Sequence, residues 1–372
     1  SKIFSFNEII ECRFVEPTEM KRPGGKTPKF ICEHNGKNYK VKYSQNSEPN
    51  LGVWGEILST RLLWVLGFKA DSIYPVRISC ENCPDKPWRY YVNYYDKIDL
   101  ENKIKNKPSA SPSEYELKNL AKFTKNLQEL EKTKKLRSFD NAVIEIKVSD
   151  DKIETYPSQG WAMDEIDSVG NHPDLDGVTA RKLKIERDAL NLLSAFIQHA
   201  DNKAQQQRLL CLDKRQKDKD VDNKNKIKTT CEKPMLMLQD LGFTFGSGWI
   251  YEGMDPNNPR RMLGKGTTAD LNGFINNRIW SDPVNCLTKV EYFRPTGMTA
   301  NKFISEEGRK FLVDRLLNFI RDEKKLRDYF LSARLDEITG VKVFPPTLVD
   351  DWIKAFKNKV LELKNHTCPP LR

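Results

Sequence analysis

Twice between residues 176 and 246 the chain carries an apolar element straight into an aspartate. The first element is a helix expected over Asp176–His199, with Leu183, Leu190, Leu193 and Ile197 on one face. It runs into His199-Ala200-Asp201-Asn202 and an amide-rich stretch ending Gln205-Gln206-Gln207, just before a short apolar strand at Leu209–Leu212. The second is a strand at Met235–Leu238, followed by Gln239-Asp240-Leu241-Gly242. An aspartate where a helix gives way to a strand sits on a loop, where it can accept a hydroxyl proton while a nearby amide ligates a metal. An aspartate at the end of a buried strand, followed by glycine turns, can aim its carboxylate at a divalent cation that bridges phosphates.

The elements around these motifs predict an α+β protein. Strands are expected at Ile9–Val15, Lys29–Glu33 and Asn38–Tyr43, with the Asn35-Gly36 pair closing a hairpin between the last two. A helix over Trp54–Leu66 follows, stopped by Gly67, and then a strand pair at Ser72–Ile78 and Trp88–Tyr95. Helices are expected at Glu114–Lys135, Ala269–Arg278, Ser305–Phe319, Asp322–Ala333 and Pro346–Leu363, and a short strand at Val143–Val148. The simplest division is an antiparallel, β-rich N-terminal lobe with one helix over residues 1–98, and a mainly helical C-terminal lobe over 99–372.

Composition removes some classes of function. The 18 Phe, 12 Tyr and 7 Trp in 372 residues can build real cores, which argues against a disordered chain. The longest apolar run, Leu62–Phe68, is far short of the roughly 20 residues a membrane span needs. Lys+Arg of 62 against Asp+Glu of 52 leaves 62 − 52 = +10, which invites a nucleic-acid reading. The densest basic stretch, Asp213–Lys228, mixes both signs without aromatics and reads as a solvated loop, so nucleic acid is not the expected partner.

The 8 cysteines include one close pair, Cys80-x-x-Cys83, and one pair bracketing the charged stretch, Cys211 and Cys231. Neither four histidines nor a second close pair completes a zinc pattern. Disulfides, and with them an oxidising compartment reached by export, are the expectation.

In the N-terminal half, Lys40 and Lys42 flank Val41 on an expected strand and so share a face, while Glu56 lies on the helix that follows. Taken in order, Lys42, Glu56, His199-Ala200-Asp201 and Asp240-Leu241-Gly242 resemble the motif set of the protein-kinase-like superfamily. The details are similar to its atypical members: HipA-like, phosphoinositide and secretory-pathway kinases. The turn Pro23-Gly24-Gly25-Lys26 resembles their nucleotide-covering loop, and Leu66-Gly67-Phe68 resembles a helix ending those relatives share.

The resemblance implies a bilobal kinase-like fold and transfer of the γ-phosphoryl group of ATP, with Mg²⁺ or Mn²⁺, to a hydroxyl on a protein, lipid or small molecule. Lys42 would hold the nucleotide phosphates, paired with Glu56 and assisted by Lys40, Gly24 and Gly25. Asp201 would serve the acceptor hydroxyl with His199 supporting its loop, and Asp240 with Gln206 would hold the metal. Gln206 stands where such kinases place Asn, one methylene longer, with Gln205 or Asn202 as substitutes. That departure supports a second expectation, a catalytically inactive pseudokinase or exported interaction module.

Overall fold

The protein was analysed as a computed structural model that describes residues 3–18, 24–25, 27–106, 111–148, 151–152, 177–202, 206–212, 233–255, 258–290, 301–335 and 348–371. The chain is mixed α+β, sheet-rich in its N-terminal region and mainly helical toward its C-terminus. It divides into two compact units: the first is built from the chain up to Val53 and from Ile73–Ile146, the second from Trp54–Ser72 and most of the chain after Lys147. The expected junction at residue 98 lies inside a helix. No helix among the described residues is long and apolar enough to cross a membrane.

The first unit is a closed five-stranded barrel in the order β1-β2-β3-β5-β4. Its strands are β1 (Ile9–Phe14), β2 (Lys29–His34), β3 (Lys37–Ser44), β4 (Ser72–Cys83) and β5 (Lys135–Ile146). Period-two alternation decides which side chains point inward: Ile10, Cys12 and Phe14 of β1 are buried and Ile9, Glu11 and Arg13 exposed. The β2–β3 hairpin turns where expected, with Asn35 and Gly36 both at positive φ and His34 paired to Lys37.

The sheet is mainly antiparallel, as expected, but β1 and β4 pair in parallel, Cys12 opposite Cys80, and that pairing closes it into a barrel. One expectation is corrected here. Residues 88–95 are not a strand but the start of a helix, α2 (Pro87–Lys105). Their tyrosines favour strands by propensity. Pro87, however, opens the helix, and its fixed φ suits a first turn. Helical spacing then sets Tyr91 and Tyr95 on one face, where both join the barrel core with Phe14, Phe30 and Phe139. A second helix, α3 (Glu114–Glu131), opens with a capping box in which Ser113 and Glu116 satisfy each other's backbone N–H. The N-terminal region therefore holds more than one helix.

The second unit begins with α1 (Gly52–Val65), whose end is a Schellman turn. Phe68 N–H bonds the Leu63 carbonyl and Gly67 N–H the Trp64 carbonyl, with Gly67 at φ 79°. The long helix α4 (Gly177–Phe196) is buried along its whole second half. Strands β6 (Asp151–Lys152), β7 (Gln207–Cys211) and β8 (Pro234–Leu238) form a three-stranded sheet. Next come the hairpin β9 (Gly248–Asp255) and β10 (Asn258–Thr267), the short helix α5 (Leu271–Asn276), and the pair β11 (Trp280–Asp282) and β12 (Leu287–Thr288).

Helices α6 (Glu306–Arg321), α7 (Glu323–Ser332) and α8 (Val349–Lys364) complete the unit. Its core is strongly aromatic: Phe196, Phe245, Phe274, Phe330, Trp352 and Phe356 meet mostly edge to face or tilted.

Three cysteine pairs stand at disulfide distance: Cys12–Cys32, Cys80–Cys83 and Cys286–Cys368, with Cα–Cα separations of 5.6, 5.7 and 5.7 Å. The sulfurs of Cys32 and Cys80 lie 4.0 Å apart, so the first two bridges pack against each other inside the barrel. The expected Cys211–Cys231 bridge, the charged stretch Asp213–Lys228, Pro23, Lys26 and Gln205 lie outside the described residues.

Candidate functional site

The two aspartate motifs come together in the second unit. Helix α4 ends, Gln198 takes a positive φ of 52°, and the chain turns so that His199 N–H bonds the Ser194 carbonyl at 2.8 Å. Strand β8 ends in the same region, where Asp240 also adopts a left-handed φ of 53°. Asp and Asn tolerate this conformation better than other non-glycine residues, and such backbone gathers at functional loops.

Backbone hydrogen bonds stitch the two loops to each other. Ala200 N–H reaches the Phe243 carbonyl, Phe245 N–H the Ile197 carbonyl at 2.7 Å, and Gln239 N–H the Gln206 carbonyl at 2.7 Å. Asp71, buried, accepts from the Gln239 side chain at 3.3 Å and from Lys147 at 2.6 Å, so the residue before Asp240 is tied to a carboxylate that is itself anchored.

The side chains converge on Gln206. Its amide nitrogen donates to Asp201 Oδ2 at 3.1 Å and to Asp240 Oδ2 at 3.4 Å. Gln206 is buried while Asp240 is exposed, so the cluster has a fixed base and an open mouth. His199 is fully buried, and its Nε2 lies 3.3 Å from the Asp240 carbonyl. That contact joins the two loops.

Asn202, the substitute weighed for Gln206, is fully buried, and its Oδ1 accepts from Gln207 at 3.0 Å. Thr244 pins the second loop to α1 through the Gly55 carbonyl at 3.1 Å and Ser59 at 2.6 Å.

Of the expected nucleotide residues, Lys40, Lys42, Gly24 and Gly25 belong to the first unit. Lys40 and Lys42 do share a face of β3, with Val41 and Tyr43 turned into the core. Two residues of this face escaped the sequence reading. Lys29 stands directly opposite Lys42 on β2 and donates to the Gly24 carbonyl, which ties the glycine turn to the sheet. Gly25, at φ 81°, permits that turn. Glu145 of β5 stands opposite Lys40, with its carboxylate 2.9 Å from Lys42 Nζ and 2.5 Å from Lys40 Nζ. The signal for Glu145 was a lone acid inside the apolar run Val143-Ile144-Glu145-Ile146. Glu56 is buried on α1, in the second unit.

Hard oxygen donors suit Mg²⁺ and Mn²⁺. Two carboxylates, each within hydrogen-bond reach of one amide, offer donors of that class once the Gln206 amide presents its oxygen.

No protein-family model matches the chain. No curated protein matches it either. Among solved structures it is similar to the Helicobacter pylori proinflammatory kinase CtkA, at 11% identity and a TM-score of 0.41, over 96% of this chain and 95% of that one.

Proposed function

We propose that the chain is an atypical kinase, a phosphotransferase that uses ATP and a divalent cation to phosphorylate a hydroxyl acceptor. The observation that supports this most is the Asp201–Gln206–Asp240 cluster, in which two loops far apart in sequence deliver two carboxylates to one amide. Asp201 accepts the proton of the acceptor hydroxyl as its oxygen bonds the γ-phosphorus and the bond to the ADP leaving oxygen breaks. Asp240 and Gln206 would hold the cation, which would supply neutralisation of charge on the phosphoryl oxygens. His199 fixes the Asp240 backbone. Lys42, with Lys40 beside it and the Gly24-Gly25 turn near Lys29, takes the nucleotide phosphates, and Glu56 keeps the role that the resemblance implies. Positioning and charge neutralisation supply most of the acceleration.

A second reading, a pseudokinase or interaction module, is favoured by one detail. The Gln206 amide points its N–H groups, not its oxygen, at both carboxylates, an arrangement that satisfies the acids without a metal.

The deciding experiment is a thermal-shift titration of ATP with Mg²⁺ and with Mn²⁺ on wild type and Asp240→Asn. Asn keeps the left-handed backbone at 240 and removes only the charge. Metal-dependent stabilisation that is lost in the variant is the expected result, while Asp201→Ala should bind nucleotide and lose transfer. No shift at millimolar ATP would reject the phosphotransferase in favour of the inactive reading.

A further inference from the structure

Glu145 occupies an unusual place for a carboxylate. Its β5 neighbours Ala142 and Ile144 pack into the barrel core, so Glu145 and Val143 lie on the opposite face, the one that carries Lys40 and Lys42. Its side chain is 1% exposed, against 7% for Lys42 and 29% for Lys40. A carboxylate this buried is tolerated only when paired, and here Oε2 lies within ion-pair distance of two ammonium groups. The three side chains together carry a net single positive charge.

Lysine sits on a flexible four-carbon stem and presents a point charge, so its ammonium must be held if it is to meet a phosphate in a fixed place. The ion pair with Glu145 performs that holding for Lys42 inside the first unit itself.

We infer that Glu145 is a positioning residue for Lys42, anchoring its ammonium before nucleotide arrives and then sharing it with a phosphate oxygen. The inference rests on the phosphotransferase reading. It has two opposed consequences. The carboxylate is an anion competing for the same ammonium, so neutralising it favours the incoming phosphate. It is also the anchor, so neutralising it leaves Lys42 less well placed for the transfer.

The test uses the full chain in four forms: wild type, Glu145→Gln, Lys42→Met and the double variant. MgATP is the probe, with its dissociation constant and its slow hydrolysis as readouts. Glu145→Gln should bind MgATP about threefold or more tightly yet hydrolyse it about tenfold more slowly, a split that coupling between close charges of this kind can supply. Neither change should appear when Lys42 is already Met. A purely structural role for Glu145 would move both backgrounds alike, and that outcome overturns the inference while leaving the phosphotransferase intact.

Wild type that fails to bind millimolar MgATP overturns the underlying reading and the inference together. Should Glu145→Gln not fold, Glu145→Asp decides: it keeps the competing charge but shortens the anchor, so hydrolysis should fall without tighter binding. Unchanged hydrolysis in Glu145→Asp would reject the anchor.

Discussion

Single side chains hold this molecule together in places where an ion pair does more than decorate the surface. Glu306, in the first turn of α6, receives Arg309 through both carboxylate oxygens at 2.7 and 2.8 Å, and Cys368 N–H at 2.9 Å. The Arg309 guanidinium is the main reason its carboxyl titrates low, at about 2. A depressed carboxylate contributes stability that is fully present above its unfolded value and is lost as pH falls through its folded one. The window here runs from about pH 4.5 down to about 2. Glu306→Gln should therefore lower the unfolding temperature at pH 7 and make it less sensitive to acid over that window. Parallel acid-unfolding curves for the two proteins would show the pairing to be idle.

Residue chemistry was legible in the sequence where a side chain's role depends on its neighbours along the chain. Asp201, Asp240 and Gln206 were visible as loop residues after apolar elements, and the fold does bring the three together. Glu145 and Lys29 were not visible as partners of Lys42, because cross-strand register decides who faces whom and no local pattern encodes it. The burial of Asn202 and its hydrogen bond from Gln207 were equally invisible in the sequence.

At the scale of elements, caps and turns followed the local code closely. Gly67 ends α1, Asn35-Gly36 turns the hairpin, and Ser113 with Glu116 starts α3. The Ser113 hydroxyl accepts from Glu116 N–H at 3.3 Å, and the Glu116 carboxylate returns to Ser113 N–H at 3.0 Å. Ser113→Ala should cost about 1 kcal/mol and fray the first turn of α3, seen as faster amide exchange at residues 114–117. Exchange there unchanged from wild type would mean that packing, not the cap, fixes the start.

Element type failed where tertiary packing outweighed propensity. The tyrosine-rich run after Pro87 has the residues of a strand, yet as a helix it delivers Tyr91 and Tyr95 to the barrel core together. Helices α6, α7 and α8, by contrast, were readable because an amphipathic period of 3.6 has few competing explanations.

Across the whole chain, each compact unit carries its own cross-links among the described residues: Cys12–Cys32 and Cys80–Cys83 in the first, Cys286–Cys368 in the second. The last spans 82 residues and fixes the tail after α8 to the turn between β11 and β12. Cutting a loop of that length free enlarges the unfolded ensemble, so replacing both cysteines with Ser should destabilise the second unit by about 2–4 kcal/mol. The unfolding midpoint would drop by several degrees. Peptide mapping without reductant should return all three bridges, and free thiols at any of the six positions would reject that bridge and weaken the case for an oxidising compartment.

What the sequence determined by itself was local: where most of the helices and the hairpin turn lie, which motifs end in aspartate, and that the chain is α+β and sheet-rich toward its N-terminus. These depend on contacts a few residues apart, which pattern and propensity record. Only the tertiary structure decided that the first five strands close into a barrel through a parallel β1–β4 pair, that Cys12 meets Cys32 and Cys286 meets Cys368, and that Glu145 lies beside Lys42. Those outcomes hang on pairing between segments many residues apart. There a shift of one residue in register turns every side chain to the other face, and nothing in the local sequence marks the choice.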